Sequence, residues 1–378
     1  MSAVKKVAVI GAGISGLAAA IRLAQEGVEV DVLEAQESLT ILGSGISLQV
    51  NALRAFETLG AWDDLRAEGF AFDGMALRAP GPDAPVITRR GGEAGPDALP
   101  SAMGMPRPAL ARILLAHALA AGATVRFGAR VTGIEQIDDT VVVRGDQGEL
   151  GTYDLVVGAD GLRSAVRALI GIETVPENLG MGIWRAFVSR PDEVATTELY
   201  YGGPAYIAGY TPTGENSMYA YLVFDAEDHF RVSPEEGARI MIEGSRAYGG
   251  PWESIRADLA AGGAEVNYTW FTRHIVDAPW NRGRVVLIGD AAHSCPPTIA
   301  QGAAQALEDA LVLADVVTRR EVIDQDLWDE FHRRRVERAT AVVDASVQLA
   351  EWQRDGQDHS HEMPQLIGEL QRRIESAA

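Results

Sequence analysis

The first residues whose types and spacing could do chemistry lie in VAVIGAGISGLAAAIRLAQEGVEVDVLEA, residues 7 to 35. A β-branched run predicts a strand, Gly11, Gly13 and Gly16 follow in GxGxxG spacing, an alanine-rich helix closes near Gly27, and a second strand ends at Glu34. In such a βαβ unit the first glycine permits the tight turn, the second lets a pyrophosphate approach the backbone, and the third lets the helix pack on the strand. The phosphate charge meets the helix N-terminus, to which Ile14 and Ser15 belong. Glu34 sits where a carboxylate accepts hydrogen bonds from ribose hydroxyls, and it would repel a 2'-phosphate, so the expected dinucleotide is FAD or NAD.

A second marked loop stands some 280 residues later, in GDAAHSCPPTIAQGAAQALEDA, residues 289 to 310. Asp290 follows the buried-type strand of RVVLIGDAA, which puts its carboxylate at the strand's C-terminal edge, where open α/β sheets bind ligands. A polyol suits such a carboxylate; a plain helix N-cap is the other reading. The helix beginning at Gly302 offers free N–H groups that can stabilise negative charge. Pro296 and Pro297 stiffen the loop between. His293 reads as structural rather than as a base. Two loops so far apart in sequence suggest one long ligand held at both ends.

Other elements must position these loops. In residues 43 to 65 a glycine-loosened loop precedes Leu48, Ala52, Phe56 and Leu59, which have helical spacing. Residues 78 to 104 are rich in Pro and Gly and read as turns, short strands and a mobile loop. RPALARILLAHALAAG follows, with Pro108 at a first helical position and Gly122 at the stop, so Arg107 sits at a helix entrance. Strands joined by a GDQGE hairpin lead to YDLVVGAD. From about 171 to 275, aromatic and small residues alternate around a TGEN turn, as in antiparallel strands with one buried face. Alternation puts Tyr219 and Tyr221 on one face and Met218, Ala220 and Leu222 on the other, without saying which meets a pocket. The remainder reads as amphipathic helix, with Arg333, Arg334 and Arg335 as a solvated face and HSHE (359–362) as exposed tail.

GAGISG (11–16), GADGLRSAVR (158–167) and GDAAHSCPPTIAQG (289–302) together resemble the FAD-binding signatures of the single-component flavoprotein aromatic hydroxylases, the class A flavoprotein monooxygenases that include para-hydroxybenzoate, salicylate and urate hydroxylases. The resemblance covers almost the whole chain. It implies that the first loop holds the FAD pyrophosphate, that Asp160 and Gly161 mark a turn linked to FAD and NAD(P)H binding, and that Asp290 bonds the ribityl chain. Arg107 would reach FAD from its helix, with Val131, Pro297, Gly302, Ala303 and Ala304 completing the cofactor set. Ala300 departs from a glycine common in the family's loop, and Ala304 from an asparagine or glycine. The resemblance also implies the reaction: NADH or NADPH binds transiently and reduces FAD, O2 forms a flavin C4a-hydroperoxide, one oxygen enters an electron-rich ring, and the other leaves as water. No single catalytic acid or base is required of the protein. Substrate candidates are Gln49, Arg185, Tyr201, Tyr206, Tyr219 and Tyr221, for a small phenolic or N-heteroaromatic compound; Arg185 could equally form a structural ion pair. An FAD-dependent epoxidase, or a monooxygenase acting on a larger polycyclic compound, is the alternative.

The expected fold is α/β: a Rossmann-like FAD-binding domain (1–72, 101–170 and 276–350), a mixed or antiparallel β-sheet substrate domain (73–100 and 171–275) and a C-terminal helical tail (351–378). With 378 residues and 47% apolar content the chain can bury substantial cores. Its net charge of -20 argues against nucleic acid. No apolar run has the length of a membrane span, and the single Cys295 excludes an internal disulfide framework and a cysteine metal cluster. No metal is expected. A cytoplasmic monomer or homodimer is.

Overall fold

A computed structural model of the protein describes residues 3–39, 45–90 and 98–375. Gly43 and Ser44 of the glycine-loosened loop, and residues 91–97 of the Pro- and Gly-rich stretch, lie outside the described residues.

Short β-branched strands build a six-stranded sheet in the order Asn281–Arg282, Val285–Leu287, Leu155–Gly158, Lys6–Ile10, Glu29–Leu33, Thr124–Arg126. Its neighbours are parallel except for the first pair. The helix Ile14–Gln25 crosses from the first strand of the chain to the second, as the glycine spacing requires. A Cβ on Gly16 would lie 2.0 Å from the carbonyl oxygen of Gly11, so that close packing admits glycine alone.

The second large sheet has eight strands, centred on Glu177–Ser189 between Val266–Ile275 and Ser217–Asp225. Its strand pairs are antiparallel except where Thr197–Tyr200 meets Met75–Arg78. Helices Pro234–Gly244 and Trp252–Ala261 belong to the core that buries Met218, Ala220 and Leu222. The face carrying Tyr219 and Tyr221 therefore turns toward the first sheet. The two sheets are tied together where His293 and Ser294 pair with Ile275 and His274.

Three helices complete the fold: Gly302–Arg319, the 31-residue Gln325–Asp355 and Glu362–Glu375. Asp324 caps the long one by accepting the Leu327 N–H at 2.9 Å. Three sequence expectations change. Leu48 lies in a strand, Gly45–Gln49, and the helix begins at Val50, because the chain pairs with Ala102–Pro106 before it can coil. Arg335 is fully buried rather than solvated, and Arg334 pairs with Asp315. His361 is exposed as expected, but His359 stacks on Trp352 with ring centroids 4.9 Å apart.

Candidate active site

Between the sheets lies a cavity of about 1590 Å³, larger than the roughly 300–1,000 Å³ typical for one small ligand. Both marked loops open onto it.

At one end, Glu34 accepts the N–H of Ala12 through Oε2 and that of Gln36 through Oε1, each at 2.8 Å. These bonds fix the carboxylate on the cavity wall. Gly13, Ile14 and Ser15 line the same end, and no side chain caps the helix they begin. A Cβ on Gly13 would meet nothing within 4 Å, so the backbone there is open to a ligand. Gly11 has φ +105° and a Cβ on it would lie 2.6 Å from the Ala159 carbonyl oxygen, so its task is the turn.

At the other end, Gly289 turns with φ +57°, its Cα packed so close to Ser15 that a Cβ would lie 2.7 Å from Ser15 Oγ. The two loops thus touch. Asp290 lies on the cavity wall; loss of hydration raises its pKa, while His293 and Arg107 pull the other way. Pro297, Gly302 and Ala303 line this end, and the helix from Gly302 has no side-chain cap either. Two open helix N-termini and two carboxylates in one cavity fit a dinucleotide bearing a pyrophosphate, a ribose and a polyol chain.

Arg107 lines the cavity and donates to the Gly45 carbonyl at 3.3 Å. Gly161 also reaches the wall. Asp160, Val131 and Ala304 do not line the cavity. Asp160 is engaged in capping: it accepts the N–H groups of Ala165 and Val166 at 2.7 and 3.0 Å and the Ser164 hydroxyl. Val131 and Ala304 are core residues.

The expected substrate candidates all line the cavity: Arg185, Tyr219 and Tyr221 from strands of the facing sheet, Tyr201 and Tyr206 from a loop between two of its strands, and Gln49 at the entrance of its helix. The Tyr219 and Ser47 hydroxyls lie 3.0 Å apart. Tyr206 donates to Asp225 at 3.0 Å. Arg185 Nη1 donates to Thr269 Oγ1 at 2.7 Å, and no carboxylate among the described residues pairs with it. Burial, with the like charge of Arg107 second, pulls its pKa down to about 10, which leaves it protonated at neutral pH. Burial pushes the Tyr221 phenol well above its ordinary value, so it remains a donor.

A family described as FAD binding domain matches residues 5–346. The chain belongs to this family of class A flavin monooxygenases. YetM of Bacillus subtilis is 30% identical over 375 residues, covering 97% of each chain. The FAD-dependent urate hydroxylase of Klebsiella pneumoniae is 30% identical over 352 residues, covering 89% of this chain and 88% of its own. The tetrameric form of 2-methyl-3-hydroxypyridine-5-carboxylic acid oxygenase superposes with a TM-score of 0.78 at 26% identity, covering 92% of this chain and 91% of that one. The protein is an FAD-dependent monooxygenase of the aromatic hydroxylase type, with FAD as cofactor. Among the described residues no helix is long and apolar enough to cross a membrane.

What sequence reasoning missed in this monooxygenase is the scaffold behind the second loop. Asp309 accepts from the Gly289 N–H at 2.8 Å and pairs with buried His293 at 2.7 Å. Arg335 reaches across from the long helix, donating to Asp309 and Glu308 at 2.7 Å each. Asn51 donates to Glu308 at 3.0 Å and to Gln301 at 2.9 Å, so the network grips the loop at both its start and its end. The adjacent acids Glu308 and Asp309, set between Ala306–Leu307 and the apolar run Ala310–Ala314, were the available signal. Cys295 lines the cavity, but burial pushes its thiol up to about 12, which rules against a thiolate at neutral pH.

Proposed function

We propose that the enzyme uses NAD(P)H and O2 to hydroxylate a small phenolic or hydroxylated N-heteroaromatic compound whose anionic group faces Arg185. The observation that carries this reading is a half-buried guanidinium on the cavity wall with a threonine hydroxyl for partner and no carboxylate among the described residues. A phenolate or ring carboxylate would supply the missing charge and the second hydrogen bond. Two relatives support the ring class: one is named for urate and one for a hydroxypyridine carboxylic acid.

Bound FAD would supply the electron transfer from NAD(P)H and the activation of dioxygen. The chain's own part is to hold and to shield. Glu34 would take the ribose, the N-terminus at Gly13 to Ser15 the pyrophosphate, and Asp290 the ribityl chain. The N-terminus at Gly302 would face negative charge on the flavin ring. Arg107 belongs to the same cofactor set, and Arg185, Tyr219 and Tyr221 would orient the substrate ring. Pro296 and Pro297 stiffen the loop that keeps water out. Asp160, Val131 and Ala304 would act on the cofactor only by supporting the backbone around it.

The test is NADH and NADPH oxidation by the FAD-loaded enzyme against phenolic and heteroaromatic acids, with product masses, for the parent and Arg185→Gln. A compound that accelerates oxidation and gains one oxygen in the parent, with KM raised at least about tenfold in Arg185→Gln, is expected from loss of a charged hydrogen bond worth about 1.5–3 kcal/mol. Stimulation that ignores Arg185→Gln would end the assigned role of this residue.

A further inference from the structure

The cavity continues past the candidate ring site along the second sheet, and its chemistry changes on the way. On Glu177–Ser189, Arg185, Ile183 and Met181 follow one another on one face, opposite Tyr221, Val223 and Asp225 of the neighbouring strand. Of the first three, Arg185 and Ile183 line the cavity, a path of about 7 Å along the strand at roughly 3.3 Å per residue, and Met181 lies in the core beyond it. The first row offers a guanidinium and phenols. The next is apolar: Ile183, Val223 and Ile207 stand in register across three strands and line the cavity. Phe271 follows, packed with Met181 and with Ala350 of the long helix.

The far wall comes from the C-terminal part of the chain. Trp352 and Gln353 of the long helix and Met363 and Ile367 of the last helix line the cavity. Leu366, Leu370 and Ile374 pack the last helix against Cys295 and Ile299 of the flavin-end loop. Arg338 secures its end by donating to the carbonyls of Arg373 and Ile374 at 2.6 and 2.8 Å. Gln353 is the exception in this apolar setting: its Oε1 is buried and no donor among the described residues reaches it. A buried acceptor without a donor is costly, and a ligand that brings one gains accordingly.

A bare phenolic acid or hydroxypyridine carries its polar atoms on one ring and leaves this trench unused. We propose that the substrate's aromatic ring bears an apolar alkyl or acyl arm, which lies along Ile183, Ile207, Val223 and Phe271 beneath the C-terminal helix and brings a hydrogen-bond donor to Gln353. The inference rests on the aromatic hydroxylase reading above and narrows its substrate class.

The probes are 5-alkyl-2-hydroxybenzoates and 5-alkyl-2-hydroxypyridines, from the unsubstituted ring to the octyl homologue, each with methyl and hydroxyl ends. Binding to the FAD-loaded enzyme is read from the change in flavin absorbance, and turnover from NADH oxidation. In the better series Kd should fall about fourfold per added methylene, the factor corresponding to about 0.8 kcal/mol, until the arm fills the trench. Ile367→Trp, which narrows the trench, should cost the longest bound homologue at least about tenfold more affinity than the bare ring. Should that variant fail to fold, Ile367→Ala should weaken the long homologue about fivefold more than the bare ring. Gln353→Leu should abolish the preference for a hydroxyl-ended arm. Bare rings that bind and turn over while every arm weakens binding would overturn the proposal and leave the hydroxylase reading standing. So would Ile367 variants that weaken bare and armed rings equally. If neither series perturbs the flavin or stimulates NADH oxidation, the small-ring reading fails first and the proposal falls with it.

Discussion

The Asp309 carboxylate accepts the backbone N–H of Gly289 at 2.8 Å, so a charge inside the helix Gly302–Arg319 fixes the turn from which Asp290 projects. Burial alone would raise the pKa of Asp309, but His293 and Arg335 beside it hold it below the ordinary carboxylate value. Asp309→Ala would leave the Gly289 N–H and the His293 ring without their acceptor, and Arg335 with one carboxylate instead of two. Breaking a buried pair in this way costs about 3–5 kcal/mol. The expected outcome is a variant with lower urea resistance and little bound flavin, while Asp309→Asn, which keeps an acceptor, loses less of both. An Asp309→Ala protein with parental stability and a full flavin complement would sink this account.

Asp290 differs from Asp309 in that its carboxylate makes no hydrogen bond or ion pair among the described residues. Its carboxylate is raised in pKa by desolvation and lines the cavity, so its removal should leave the apoprotein as stable as before, within about 0.5 kcal/mol, as for substitutions that break no packing or buried bond. Its proposed bond to the ribityl chain is a charged one, worth about 1.5–3 kcal/mol, which corresponds to a loss of about ten- to a hundredfold in FAD affinity for Asp290→Ala. Fluorescence titration of the apoprotein with FAD, beside a thermal melt without it, separates the two effects. An unchanged FAD affinity would remove Asp290 from the cofactor set.

The parts of this enzyme legible in its sequence are those whose determinants are local. The strand, glycine turn, helix and Glu34 of residues 7–35 sit where the pattern predicts, because each step depends on neighbours in the chain. Alternation correctly put Tyr219 and Tyr221 on one face, but the choice of face depends on the helices Pro234–Gly244 and Trp252–Ala261, which come later and cover the other side. Arg335 sits in a run of three arginines that reads as solvated; its partners Glu308 and Asp309 lie in a different helix, which no charge pattern within Gln325–Asp355 reveals. Asp160 and Asp290 both follow a parallel strand, yet one caps a short helix and the other lines the cavity. The contribution of Trp352, Gln353 and the last helix to the cavity had no local signal, since it follows from how that helix packs on Cys295 and Ile299.

Ala300 tests whether the loop's departure from glycine is felt. Its backbone has φ +52° and ψ +36°, the left-handed region, where an L side chain costs roughly 1–2 kcal/mol. Glycine removes that cost but gives back about 0.4–1 kcal/mol through the freedom it adds to the unfolded chain. Ala300→Gly should therefore raise stability modestly, by about 0.5 kcal/mol as the difference of those two effects. Ala300→Val should lower it by at least about 1 kcal/mol, because β-branching makes the left-handed region worse. Urea melts of the three proteins decide the matter; a stabilised valine variant would mean that the loop relaxes out of this conformation.

His274 gives the fold a pH dependence whose sign can be worked out. It is buried, its Nδ1 lies 2.8 Å from Ser294 Oγ, and Arg167 Nη1 lies 3.3 Å from its Nε2. Since the guanidinium can only donate, Nε2 accepts and the ring is neutral with its proton on Nδ1. Burial, then the positive charge of Arg167, lowers its pKa from 6.5 to about 4. The unfolded chain therefore binds a proton that the folded chain refuses between those two values. Stability from this residue is complete above pH 6.5, declines as the pH falls and is fully lost below about pH 4. At about 1.4 kcal/mol per pKa unit, the contribution is on the order of 3 kcal/mol, and most of it should vanish between about pH 7.5 and pH 4.5. His274→Gln keeps a polar side chain without the titration. Over that interval the parent should lose about 2 kcal/mol more stability than the variant, the other titrating groups being common to both. Parallel stability profiles for the two proteins would show that His274 carries its proton in the folded state as readily as in the unfolded one.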